Sequence, residues 1–310
     1  DFSYFNHDVN SRSHFFLNSK YNMRSNYFSN SILELNLQNT NNDTYLNTYN
    51  ISSPIINDKN VLNTYLDYKG YNENLSFNIY TKAIEDLNKD DGRYEYIFPY
   101  VNLSKSFKNM QYTLTGYNKK FNTNQDITNI TNDLLYSSND NFTLFGLKKN
   151  WKLLFKNVNA KRDRTKDKDG ENYELYSTFL YDLNFPLIKN GEIYDSIIDP
   201  KISFRYSPNK NKNMSNEERR MDIDNLFSLD RISSNETVEG GESLTIGTDY
   251  KFIKNDTLNE VFKIGIAQVF RTKKNEDLPK TSALGDTRSD VFGSIVFKKN
   301  DLVDLNYNLS

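Results

Sequence analysis

Between residues 243 and 253 the side chains alternate almost without fault. Leu244, Ile246, Tyr250 and Phe252 fall on one side, and Ser243, Thr245, Asp249 and Lys251 on the other. Successive residues of an extended chain face opposite sides of a sheet, so this segment reads as a strand with one apolar and one wet face. The two-beat pattern recurs. Leu75, Phe77 and Ile79 alternate with Ser76, Asn78 and Tyr80, while Ile97, Val101 and Leu103 oppose Asn102 and Ser104. Leu175, Phe179, Tyr181 and Leu183 face away from Glu174, Thr178, Asp182 and Asn184. Ile202, Phe204 and Tyr206 oppose Lys201, Ser203 and Arg205, and Phe262, Ile264, Ile266 and Phe270 oppose Lys263, Gly265 and Arg271. Roughly 14–16 strands are predicted, each near the ~9–11 residues that cross a bilayer when tilted.

The connections carry a second signal. Tight polar turns are predicted near residues 71–74, 107–109, 254–258 and 299–301, and long polar loops near 38–59, 86–94, 162–172, 207–241 and 272–289. Short and long connections largely alternate, as in a membrane barrel with short turns at one rim and long external loops at the other. Residues 122–159 break the pattern, and strand limits cannot be read there. The expectation is an all-β, antiparallel transmembrane β-barrel, with residues 1–310 forming part of one outer-membrane barrel domain. The competing readings are a secreted β-sandwich and another barrel such as a porin or a solute receptor.

Composition sharpens this picture. Hydrophobic residues make up only 36% of the chain and the mean hydropathy is −0.77, which excludes a bundle of membrane helices. A barrel escapes the objection because only every second residue must face lipid. Tyr and Phe dominate an aromatic share of 14%, which suits strands and argues against disorder. A net charge of −2 gives no reason to expect nucleic acid as a partner. The mixed charge run Lys161-Arg162-Asp163-Arg164 through Asp169 reads as a solvated loop. There is no cysteine, and both termini look cut, as expected of a fragment.

Candidate chemistry is sparse. The two histidines, His7 and His14, sit at no metal-ligand spacing with a carboxylate. No glycine-rich phosphate loop and no Gly-x-Ser-x-Gly elbow is present, and the carboxylates are scattered. Neither catalysis, nor a cofactor, nor a metal is therefore expected.

One stretch goes beyond a generic barrel. Ile198-Asp199-Pro200-Lys201-Ile202-Ser203-Phe204-Arg205-Tyr206-Ser207-Pro208 is followed, after a polar loop, by Asn225-Leu226-Phe227-Ser228-Leu229-Asp230-Arg231-Ile232. Then come Val238-Glu239-Gly240-Gly241, Ser243-Leu244-Thr245-Ile246-Gly247 and Gly265-Ile266-Ala267-Gln268-Val269-Phe270. In this order the motifs resemble the barrel of the LPS-assembly outer-membrane family LptD (OstA). Asp43-Thr44-Tyr45-Leu46 and Arg93-Tyr94-Glu95-Tyr96-Ile97-Phe98-Pro99 upstream, and Ser289-Asp290-Val291-Phe292-Gly293 downstream, extend the likeness. Ser233-Ser234 departs from it, because many relatives carry a glycine after the arginine.

The resemblance implies export rather than catalysis. Such barrels sit in the outer membrane of Gram-negative bacteria, receive lipopolysaccharide from a periplasmic Lpt bridge and release it into the outer leaflet. An LptE-like lipoprotein plugs the barrel, and a periplasmic jelly roll precedes it. This chain is expected to lack the jelly roll, the last strands and the lateral opening. In that frame Lys201, Arg205, Asp249, Lys251, Lys263 and Arg271 are candidate lumen-facing residues. Leu226, Phe227, Asp230 and Arg231 are candidate loop or plug contacts, with Asp230 and Arg231 pinning the 207–241 loop.

Overall fold

In the computed structural model, residues 2–5, 12–121, 125–165, 170–219, 221–299 and 303–309 are described. Among them are seventeen strands, two single-turn helices, α1 (Tyr45–Thr48) and α2 (Ile223–Leu226), and a 3-10 turn at Lys280–Ser282. The chain divides into two compact units, Asp1–Asp133 with Asn157–Glu174, and Leu134–Lys156 with Leu175–Ser310.

The first unit is an antiparallel meander. Its strands β1 (Phe2–Phe5), β2 (Arg12–Met23), β3 (Asn30–Thr40), β4 (Val61–Tyr71), β5 (Leu75–Asp86), β6 (Tyr94–Phe107) and β7 (Met110–Phe121) each pair with the next. The 122–159 region, whose limits are unreadable in the sequence, holds β8 (Asp126–Ser137), β9 (Asn141–Phe142) and the start of β10 (Lys148–Asp163).

The second unit continues with β11 (Gly170–Asn184) from Leu175 onward, then β12 (Leu187–Lys189), β13 (Tyr194–Ser207), β14 (Gly241–Lys254), β15 (Glu260–Arg271), β16 (Phe292–Lys299) and β17 (Val303–Leu309). Here β13 pairs with β11, β12 and β14, and the ladder proceeds through β15 and β16 to β17. Within it residues 255–259 make a short turn, whereas residues 208–240 and 272–291 form long loops. The first unit likewise has short links at 72–74 and 108–109, against long ones at 41–60 and 87–93. Both units thus carry the predicted alternation at these connections, within a few residues of the predicted positions; the predicted 162–172 loop and 299–301 turn lie partly outside the described residues.

What the sheet exposes is its apolar row. On β13, Ile202 is 43% exposed and its neighbour Ser203 only 2%. On β14, Ile246 is 44% exposed and Thr245 only 2%. The row runs in register from Ile198 through the half-buried Tyr250 to the exposed Ile264, Ile295 and Tyr307. A sheet bathed in water on that side would bury this row and wet the other, because burial of apolar surface drives folding in water. The first unit repeats the inversion: Phe15 and Leu17 are exposed, while Phe16 is fully buried and Asn36 and Gln38 nearly so. A sandwich whose aliphatic rows meet in a dry centre is excluded for these strands.

The buried polar face of the second unit is covered by the two long loops. Met214, Met221, Ile223, Leu226 and Ile232 from one, with Leu278 and Leu284 from the other, pack onto Ala267, Val269 and Phe292. Gly247 makes this approach possible. A Cβ there would lie 2.6 Å from the Ile266 carbonyl oxygen and 2.9 Å from the Phe227 ring, so only glycine leaves that ring its seat.

The inversion is testable at Ile246. Against lipid, Ile246→Arg is expected to cost about 2–4 kcal/mol at mid-bilayer depth and to depress folding into phospholipid vesicles. Were the row wetted instead, the change would be worth no more than about 0.5 kcal/mol, and vesicle folding yields would match the parent.

Candidate functional site

The 208–240 loop is anchored from its own helix outward. Asp222 caps α2 by accepting the Asn225 N–H at 2.8 Å, and the Asn225 side chain accepts the Asp222 N–H at 3.2 Å. This reciprocal cap satisfies two orphan donors of a helix too short to persist alone. It also sets the residues that follow: Leu226 is buried, and the Phe227 ring lies over Gly247, 5.7 Å from the Lys201 ammonium.

Beyond the helix, charge takes over. Arg231 forks onto Glu239, with Nε donating to Oε2 at 2.8 Å and Nη2 to Oε1 at 2.6 Å. The same guanidinium donates to the Ser243 hydroxyl at 2.5 Å and to that of Thr245 at 3.2 Å, both on β14. Arg271, at the end of β15, donates to Glu239 Oε1 and to the Gly240 carbonyl. Arg205, from β13, donates to the Leu229 carbonyl at 3.0 Å and the Glu239 carbonyl at 2.5 Å. Its Nη1 lies 3.7 Å from Glu239 Oε1. Gly241 turns the chain back into β14 with φ +87°, a conformation open to glycine at little cost.

Glu239 is therefore the hub, fully buried among three guanidiniums. Burial alone would raise its carboxyl pKa; the charges of Arg231, Arg205 and Arg271 outweigh this and lower it from the ordinary 4.5 to about 2. Arg231, expected to act beside Asp230, takes Glu239 as its partner. Asp230 instead lies 3.7 Å from the Lys156 ammonium and accepts the N–H of Ser233 at 3.1 Å. Lys156 also donates to the Ser234 carbonyl at 2.6 Å.

The expected lumen residues divide into two groups. Arg205 and Arg271 are on the polar face but lie beneath the loops, inside the cluster. Lys201 pairs with Asp249 and lies 3.9 Å from Asp199, Lys263 reaches Asp224 at 3.1 Å, and Lys251 is 3.8 Å from Glu260. Glu239 and Lys156 were missed by sequence reasoning. Glu239 stood in the quoted Val238-Glu239-Gly240-Gly241 motif, but no short-range period ties it to Arg231 or Arg271.

The first unit has a comparable anchor. Arg93 forks onto Asp43 at 2.7 and 3.2 Å and reaches Glu85 at 2.8 Å, fixing the 41–60 loop. Tyr45 and Leu46 of α1 then bury against Phe16, Leu62 and Leu87. His14 stacks on Phe16 at 4.7 Å; His7 lies outside the described residues.

Glu239→Gln should leave three buried guanidiniums without their carboxylate and cost about 3–5 kcal/mol. The readout is proteolysis of the 208–240 loop in the folded chain; unchanged resistance would remove Glu239 from the hub. Because the carboxyl pKa is lowered on folding, its stabilisation is complete above pH 4.5 and is lost as pH falls towards about 2. In the parent, loop protection should fade across that window, whereas in Glu239→Gln this component of the pH dependence should be absent.

Comparison with known proteins agrees with the geometry. A search of curated proteins gives no match. The family model described as LptD, LPS transport system D, matches residues 10–309, nearly the whole chain. An all-β antiparallel ladder with its apolar row outward and its loop motifs seated on the polar face is thus joined to a match of that length, and the chain belongs to the LptD family.

Proposed function

We propose that the chain is a piece of the outer-membrane translocon wall that assembles lipopolysaccharide into the outer leaflet of a Gram-negative bacterium. The observation that carries this is the inverted sheet within a member of the LPS transport family. Lipopolysaccharide joins an acyl part to an anionic sugar-phosphate part, so its conduit needs an apolar exterior beside a hydrated interior. In this reading residues 1–310 are part of one barrel domain, and Lys201, Asp249, Lys251 and Lys263 line its interior. The long-loop edge faces outward, and no catalytic step or cofactor is involved. The partners are an LptE-like lipoprotein plug and, through a preceding periplasmic domain, the Lpt bridge. The covered face of the 208–240 loop, with Leu226, Phe227 and Arg231, holds that loop in the shape the plug meets, and Asp230 sets its bend.

Two measurements test this. Expressed at full length, the protein should co-purify with a lipoprotein and conduct little in planar bilayers. Steady open channels without any bound lipoprotein would favour a porin or a solute receptor. Asp230→Ala is expected to lower lipoprotein retention and surface lipopolysaccharide; normal complex yield with normal surface lipopolysaccharide would remove Asp230 from the assignment.

A further inference from the structure

The outward apolar face of the second unit is notched at one place. On β16, Gly293 stands between the exposed Ile266 of β15 and the exposed Leu309 of β17, so one side chain is missing from that rank. Thr248 continues the rank on β14. The result is a cavity of about 370 Å³ walled by Ile264, Ile266, Val291, Ile295, Tyr307 and Leu309. The hydroxyl oxygen of Thr248 is buried, so hydrocarbon faces the cavity there as well.

The packing around residue 293 does not call for glycine. A glycine inside a strand weakens it, and its usual reasons are a bulge, a bend, the close approach of another backbone, or a ligand. The ladders from β16 to β15 and to β17 run through residue 293 without a register shift. A Cβ there would meet the Gly265 carbonyl oxygen and the Leu309 Cβ at 3.7 Å, an ordinary contact distance, and the backbone is not left-handed. Gly247 and Gly265 differ, because a Cβ at either would run into a side chain packed on the opposite face. For Gly293, a ligand is the one of these reasons for which the structure also provides room.

Depth and size identify the ligand. Ile264 and Ile266 lie near the middle of β15, at the depth of hydrocarbon rather than of headgroups. The volume matches about a dozen groups of water size, at ~30 Å³ each, and a methylene is of that size. One acyl chain fits. A second barrel would need about 1,000 Å² of matched surface, and a flat strand face cannot enter a notch one side chain wide. Lipopolysaccharide holds several chains side by side on one sugar backbone, whereas a phospholipid can seat one chain and leave the other in the bilayer.

We propose that the Gly293 notch is a binding site for one acyl chain of a phospholipid, held more tightly than the lipid around the rest of this face. The site depends on the apolar face meeting lipid and not on the transport reading above.

The test uses the full-length protein folded into vesicles of phosphatidylethanolamine and phosphatidylglycerol, with a trace of phosphatidylethanolamine carrying a photoreactive diazirine at mid-chain. On irradiation, Ile264, Ile266, Ile295 and Leu309 should take up label at least about fivefold above Ile202 and Ile246, which are similarly exposed on the same face but outside the cavity. Gly293→Phe fills the notch and should level the labelling, and Gly293→Ala should lower the preference in part. Since position 293 has room for a Cβ, vesicle folding yield and protease resistance of the 208–240 loop, measured alongside, should match the parent. Uniform labelling of the face in the parent would overturn the site, as would an undiminished preference in a folded Gly293→Phe variant. Should that variant fail to fold, the labelling of the parent and of Gly293→Ala decides. Loss of the label to stoichiometric lipopolysaccharide would assign the notch to that lipid, and a dimer that Gly293→Phe dissociates would assign it to a second copy; either result overturns the phospholipid.

Discussion

A sheet that turns its apolar row outward must find some other use for its polar row, and this requirement governs the rest of the molecule. Backbone groups are satisfied in the ladders, but the charged side chains of the polar row are not all satisfied by the strands alone. On β13 and β14 the solution changes along the strand. Near the short-turn end, charges pair with neighbours one strand away, as Lys201 does with Asp249. Near the long-loop end, Arg205 and Arg271 stand on either side of Ser243, too deep for water. Their carboxylate is brought by the 208–240 loop, because no strand residue at that level supplies one. A buried guanidinium without such a partner is costly, so the loop is required by the strands as much as it is supported by them.

The same solution appears independently in each unit. Arg93 reaches Asp43 and Glu85 in the first, and Arg231 reaches Glu239 in the second. In both, an arginine holds a long loop that carries a single helical turn and buried apolar side chains. Arginine suits this work because its planar fork meets a carboxylate through two parallel bonds and keeps its charge when buried. Lysine would supply a single point contact and lose charge more readily on burial. The lysines of these strands accordingly sit where water still reaches them, except Lys156, which has Asp230 and a carbonyl within reach.

Most of the fold was legible because strand patterning is local. Period two assigns each residue to a face from its immediate neighbours, so β11, β14 and β15 were predicted within a few residues, and β13 over its second half. The region around β8 to β10 resisted, since Asn and Lys there occupy both faces and blur the alternation. The site was legible only in part. Arg231 was singled out, yet its partner lies eight residues away across a non-repeating loop, where spacing says nothing about contact. Arg205 and Arg271 read as ordinary wet residues because nothing local distinguishes a polar position facing water from one beneath a folded loop. Ser233 shows the same limit: it adopts φ +44°, which favours glycine, and the side chain that steadies it, Asp230, acts through a turn the sequence does not announce.

The loop cover joins two kinds of contact with different physical consequences. Its apolar cluster, built on Ile223, Leu226 and Ile232, supplies attraction but little direction, since aliphatic contacts tolerate sliding. The fork from Arg231 to Glu239 supplies direction: it satisfies its donors in one register only, with Ser243 and Thr245 fixing that register against β14. A buried ion pair is often no better for stability than well-packed hydrophobic residues of similar volume. Keeping a charged hub there, rather than extending the aliphatic cluster across it, therefore makes sense as a device for position. The aliphatics hold the loop down, and the guanidiniums decide where it rests.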